Sequence, residues 1–317
     1  MATGAEARAL APTGPGALKV VARTSPPGPP PGIPPVARRE DGRGRLRGTV
    51  TAVLWYLASI SLFGALWELA WAVGWADPML VPPPHLFLRD FAGQAANFGG
   101  QGIGEASGGP LLGVLTTVAS TMLRVVAGLA LGFVASLAVG LLVTYFRTAG
   151  KLVVPTITML APISPIAWLP VAIFLFGIGN APAVFLVFIG VFFIMTLATI
   201  SEIQALSPMW RDVARTMGAT RPQMVRHVVL PAILPGLFVL LRLNLFAAWM
   251  VVLIAEAVGV GSGLGMVVLL ARNTFNAPLV FFTMTVIGVA GFCMDVALRA
   301  VQRKVLWWDA GVQAVAR

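Results

Sequence analysis

At 317 residues, 58% hydrophobic and 11% charged, with a mean hydropathy of +0.88, the chain lies far from a soluble domain, where roughly a quarter of residues are charged. It reads as an all-α polytopic membrane protein. The net charge of +10 does not point to nucleic acid, because Lys and Arg gather between the apolar runs in the pattern that sets membrane topology. One cysteine, Cys293, excludes an intramolecular disulfide, and two distant histidines offer no Cys/His metal site.

Residues 1–49 are rich in Pro, Gly and Ala, with PPGPPPGIPP at 26–35 followed by Arg38, Arg39, Arg43, Arg45 and Arg47. This composition predicts a disordered basic tail whose arginines either stay solvated or touch anionic membrane lipid. It has no short apolar core with a cleavage site, so no signal peptide is expected. The first span is predicted at Val50–Trp75, since about 20 apolar residues cross the bilayer core. An outer loop follows at 76–110, with a short helix near His85–Asn97 and His85 read as a surface residue.

The second span, Leu111–Phe146, places Gly128, Gly132, Ser136 and Gly140 on one helical face. Another helix can come close there, either within the chain or from a second copy. Leu152–Ser201 carries no charge. As one helix it would reach roughly 75 Å, more than twice the ~30 Å core, so it must fold back, with the turn at Gly177–Pro182. The third span, Leu152–Ile178, is interrupted by Pro155, Pro162, Pro165 and Pro170, which remove backbone donors. Broken backbone at membrane depth is tolerated in protein or beside a watery path. Ser164 and Trp168 in this stretch are therefore candidates for a translocation path, and a kinked packing helix is the alternative.

The fourth span is predicted at Ala181–Ser201 and the fifth at Ala232–Ala255. Between them, residues 202–231 form the one polar island in the apolar second half. Ser207-Pro208 reads as a helix start, Gly218 as a left-handed stop, and Thr220-Arg-Pro-Gln223 as a capping box opening a second helix. The island is therefore a helix-turn-helix elbow, with Ala214 and Gly218 leaving a shallow surface and Arg215, Arg221 and Arg226 offering charge to a soluble partner. The alternating Gly259, Gly261, Gly263 and Gly265 follow a span rather than a strand, so they are no dinucleotide fingerprint but a flexible outer turn. The sixth span is predicted at Leu279–Leu298.

Eight Lys or Arg lie in residues 1–49, two at Arg147 and Lys151, four in the island and four from Arg299 onward. The positive-inside rule then places both termini and the elbow in the cytoplasm.

Five ionisable residues fall within spans: Glu68, Arg124, Arg242, Glu256 and Asp295. Each costs about 2.5 kcal/mol or more at the bilayer centre, so each needs a partner or a watery face. Asp295 has Arg299 one turn on. Arg242 and Glu256 are about 21 Å apart along one helix and cannot pair with each other. Arg124, Arg242, Asn244 and Glu256 are further path candidates. The two arginines suit either an anionic solute or internal carboxylates.

The island resembles the signature E-A-A-x3-G-x9-I-x-L-P of permease subunits of bacterial ATP-binding-cassette (ABC) importers. Asp212-Val-Ala214 fills the opening triplet, Gly218 the glycine, and Val228-Val-Leu230-Pro231 the ending, with mild departures. The likeness covers most of residues 50–308. Trp67–Trp75, Pro162–Pro182 and Ala255–Gly265 resemble the branch carrying nitrate, sulfonates, taurine and bicarbonate.

The resemblance implies a type I importer permease fold of six transmembrane helices, with a core at 111–300 and a C-terminal tail at 301–317. It implies ATPase-coupling roles for Asp212, Ala214, Arg215, Gly218, Ala219, Leu230 and Pro231. It also implies a second permease copy, a periplasmic or lipid-anchored binding protein, and a bacterial inner-membrane location. No phosphate-loop motif occurs, Gly150-Lys151 being followed by Leu. ATP and Mg are thus expected on separate ATPase subunits, with no cofactor or covalent chemistry in this chain. The rival readings are an autonomous ion-coupled transporter or channel and a non-transporting scaffold.

Overall fold

The computed structural model describes residues 42–75, 81–99 and 109–308. Most of the basic tail, with its proposed lipid contact, and most of the Gly-rich run before Pro110 lie outside them. The chain divides into two compact units, Met1–Leu46 and Arg47–Arg317. Only Gly42–Leu46 of the first is described, and it is helical.

Helix α1, Gly42–Ala72, begins inside the segment expected to be tail. No proline lies between Gly42 and the span, and Arg and Leu are good helix formers, so nothing stops the helix from starting early. Over Leu54–Ala72 it is unburied within the chain. Its C-terminal end is held by rings: Trp67 lies 5.1 Å from Phe281 and 6.2 Å from Phe87. Two short helices cap this side, α2 at Pro84–Arg89 and α3 at Phe91–Ala95. Phe91 and Phe98 meet Phe282 edge-on. His85 is partly exposed, as expected, but it is tied to Glu68, whose carboxylate lies 2.9 Å from Nδ1 and accepts the His85 backbone N–H.

Helix α4, Pro110–Tyr145, and α7, Asn180–Ala205, form the central pair. The small-residue face is used within the chain. A Cβ on Gly128 would stand 2.5 Å from Val187 Cβ, and one on Gly140 2.6 Å from Thr199 Cγ2. Only residues without a side chain allow this approach.

Between the pair, α5 at Arg147–Leu160 and α6 at Leu169–Phe176 meet at a 99° bend. Pro165 opens a 3-10 turn there and Pro170 sits in the first turn of α6, where its missing donor costs nothing. Pro155 is accommodated inside α5. Gly177 (φ 73°) and Gly179 (φ 146°) make the expected turn, and the Gly179 N–H donates to Gly259 O at 3.1 Å.

After α8, Pro208–Thr216, a single helix α9 runs from Arg221 to Val260. The second arm of the elbow and the fifth span are thus one rod of about 60 Å. Pro231 does not end the elbow. In a regular α-helix its ring would clash with the carbonyl one turn back, and the π turn at Val225–Val229 relieves that conflict.

A second π turn, Glu256–Val260, ends the rod. The chain re-enters through a short apolar helix, α10 at Leu264–Asn273, and leaves through α11 at Ala277–Val305. Leu186, Met195, Ile233, Leu237, Leu245, Leu264 and Leu279 fill the core between α7, α9, α10 and α11. Among the described residues five helices are long and apolar enough to span, and the bent α5–α6 pair, counted as one span, makes a sixth. The described residues form no strand.

Candidate functional site

The elbow projects between the fourth and fifth spans. Helix α8 stops in a double turn, with the Gly218 N–H donating to Arg215 O at 2.9 Å and the Ala219 N–H to Ala214 O at 3.0 Å. Gly218 has φ 76°, the left-handed conformation that closes such a stop. The next arm opens on Thr220, whose backbone N–H donates to Gln223 Oε1 at 2.9 Å and whose hydroxyl donates to the same oxygen at 2.8 Å. Ser207, expected to cap α8, makes no side-chain cap bond.

Of the coupling candidates, Asp212 and Arg215 are exposed and paired at 3.4 Å. Ala214 is buried and packs into the main core, so its small size serves the junction with the membrane body rather than an outer groove. Leu230 and Pro231 are half-buried in the first turn of the long apolar stretch of α9, with Ala219 half-buried in the turn. The outward face is instead apolar. Met209, Val213 and Met217 recur every four residues, beside Trp210, and Met217 is 82% exposed and Trp210 62%. A four-residue period in the sequence carried this signal, which the arginines obscured.

At the opposite end of α9, Arg124 and Glu256 meet. Nη1 of Arg124 lies 2.6 Å from Glu256 Oε1, and both side chains are almost fully buried. Arg124 Nε donates to Asn180 Oδ1 at 2.9 Å, Nη1 to Ser262 O at 3.1 Å and Nη2 to Ser262 Oγ at 2.8 Å. Glu256 Oε2 accepts the Gly265 N–H at 3.0 Å.

The glycine run wraps this carboxylate: a Cβ on Gly263 would stand 2.3 Å from the Glu256 carboxyl carbon, and one on Gly265 2.0 Å from Leu253 O. The expected flexible turn is thus a close-packed collar. The pair joins α4, α7, α9 and the entry to α10, and it spends the charge of Arg124 internally.

Arg242 is also met by a carboxylate. Its Nε lies 2.5 Å from Asp295 Oδ1 and its Nη2 3.1 Å from Oδ2. Arg299 takes Oδ2 at 2.9 Å, the helical pair expected. For both arginines, then, the internal-carboxylate reading is the one observed.

Asn244 is buried, donating to Leu240 O at 2.9 Å and facing Met195 Sδ at 3.6 Å. Ser164 is exposed at the α5–α6 bend, and Trp168 beside it has a buried indole N–H with no partner. The structure therefore brings Arg124 to Glu256 and Ser164 to Trp168, and leaves Arg242 and Asn244 elsewhere. No group of three or more metal-binding side chains occurs among the described residues.

A six-crossing helical body with a broken third span and a capped elbow ahead of the fifth defines the fold of type I importer permeases. Residues 128–307 match the family described as binding-protein-dependent transport system inner membrane component, and the chain belongs to that family. An ABC transporter permease of Methanocaldococcus jannaschii is 32% identical over 202 residues, 62% of this chain and 76% of its own length. The taurine transport system permease protein TauC of Escherichia coli is 26% identical over 258 residues, 80% of this chain and 90% of its own. The bicarbonate transport system permease protein CmpB of Synechococcus elongatus is 26% identical over 200 residues, 63% of this chain and 72% of its own. In fold, the chain matches a structure of the MetNI methionine ABC transporter in an inward-facing conformation, with TM-score 0.53 and 22% identity, over 61% of this chain and 95% of that one.

Proposed function

We propose that this chain is the membrane permease subunit of an ATP-driven importer for a small anionic solute of the taurine, sulfonate, bicarbonate or nitrate type. It works in the inner membrane with both termini and the elbow in the cytoplasm. A second copy completes the path, a binding protein delivers the solute from outside, and separate ATPase subunits hold ATP and Mg. The observation that carries this reading is the elbow: a stiff, capped projection with Met209, Trp210 and Met217 bare to solvent. An apolar face of this kind on a polar loop calls for a protein partner.

The geometry supplies a lever. Closure of two ATPase subunits pushes on α8, whose buried Ala214 passes the load to the start of α9. That helix continues without a break to Glu256 and the Arg124 staple at the outer end. Rocking of the rod therefore moves both ends of the pathway together. The α5–α6 bend beside it opens or closes past Ser164 and Trp168. The preference for an anion rests on the relatives' names, since the carboxylates already hold Arg124 and Arg242.

In sealed vesicles, uptake is expected only when this chain, its ATPase and its binding protein are all present with ATP. Uptake by this polypeptide alone would overturn the division of labour.

A further inference from the structure

The ion cluster on α9 and α11 carries one more positive charge than it balances. Arg242 and Arg299 share the single carboxylate of Asp295, and the buried Nε of Arg299 has no hydrogen-bond partner among the described residues.

The cluster is at the edge of the bundle. The side chains of Arg242 and Arg299 are 40% and 33% exposed, and their helices carry exposed apolar residues nearby in sequence, Leu243 on α9 and Phe292 and Val296 on α11. Its depth follows from helix rise. Along α11, which starts at Ala277, Asp295 lies about 27 Å and Arg299 about 33 Å from the first residue. In a hydrocarbon core about 30 Å thick, that is the headgroup boundary of the leaflet on the elbow's side.

A guanidinium cannot shed its charge, so the surplus cation needs an anion. Two planar forks match the oxygens of a phosphate group. The apolar rim matches acyl chains, which a soluble anion lacks.

We infer that Arg242 and Arg299 form a binding site for the phosphate of an anionic phospholipid in the elbow-side leaflet, with Asp295 balancing one of their two charges. This assignment takes Arg242 out of the translocation path. A lipid seated there ties α11 to α9, the helix that carries the elbow.

The test reconstitutes the full chain in phosphatidylcholine vesicles with graded phosphatidylglycerol. It counts retained lipid by native mass spectrometry and follows the melting temperature. Phosphatidylglycerol is expected to be retained over phosphatidylcholine and to raise the melting temperature. Arg299→Gln should weaken retention about fivefold, and adding Arg242→Gln about fivefold more.

Asp295→Asn should strengthen retention by removing the competing carboxylate, which a merely structural role would not do. The inference is overturned by unchanged retention in Arg299→Gln, by no lipid preference in the native chain, or by equal stabilisation with inorganic phosphate in phosphatidylcholine alone. The native-chain comparisons decide the matter even where a variant fails to fold.

Discussion

Glu256→Gln is expected to cost about 3–5 kcal/mol of stability, the range for breaking a buried ion pair from one side. The substitution leaves Arg124 charged, 4% exposed and ringed by neutral acceptors. Arg124→Gln should cost less, because a carboxyl can be neutralised by a proton whereas a guanidinium cannot. The double variant Arg124→Met/Glu256→Met should lie closer to the native chain than Glu256→Gln, since an apolar pair leaves no orphan charge.

The measurement is thermal unfolding of the purified chain in detergent, with folded yield as a second readout. A Glu256→Gln protein that melts with the native one would show that the staple does not hold the C-terminal end of α9. If the staple transmits the elbow's motion, these variants should also lose transport at temperatures where they remain folded.

Gly218→Pro is expected to separate ATP hydrolysis from transport. Proline fixes φ near −65°, against the observed 76°, and it removes the N–H that Gly218 gives to Arg215 O. The stop of α8 is then lost while the membrane body, which touches Gly218 little, stays intact. Uptake in the assembled importer should fall by about tenfold or more, equivalent to about 1.4 kcal/mol, while ATPase activity persists.

Gly218→Ala should show a smaller loss, since left-handed backbone costs a side-chain-bearing residue about 1–2 kcal/mol. Trp210→Ala with Met217→Ala keeps the stop but strips the apolar face, and it should weaken ATPase attachment instead. Full coupling in Gly218→Pro would remove the elbow from the mechanism.

The elements that were legible in the sequence are those set by local rules. The spans follow from runs of apolar residues, the bend in the third from its prolines, and the stop at Gly218 from the need for positive φ. The close face of Gly128, Gly132 and Gly140 was visible as a spacing, but its partner on α7 was not, because spacing names no neighbour.

The Arg124–Glu256 pair joins residues 132 apart in the chain, so only the fold could disclose it. Helix α10 was hidden because its apolar turns follow a glycine run that reads as loose chain, whereas the Glu256 carboxylate packs that run tight. The continuation of the helix through Pro231 was not legible either, because the π turn that absorbs the proline has no sequence signal of its own. The outward face of α8 was obscured by its arginines, which draw attention although Met209, Trp210 and Met217 supply the contact area.

A photo-reactive amino acid placed at Met217, in cells making the whole importer, tests most directly whether the elbow is the engagement point of the motor. On illumination, a product containing this chain and the ATPase subunit is expected, identified by mass spectrometry, with no such product from the same group at Phe174, an exposed position on α6 away from the elbow. Cross-linking of Met217 to an outer protein, or to no ATPase in a complex that still transports, would contradict the account.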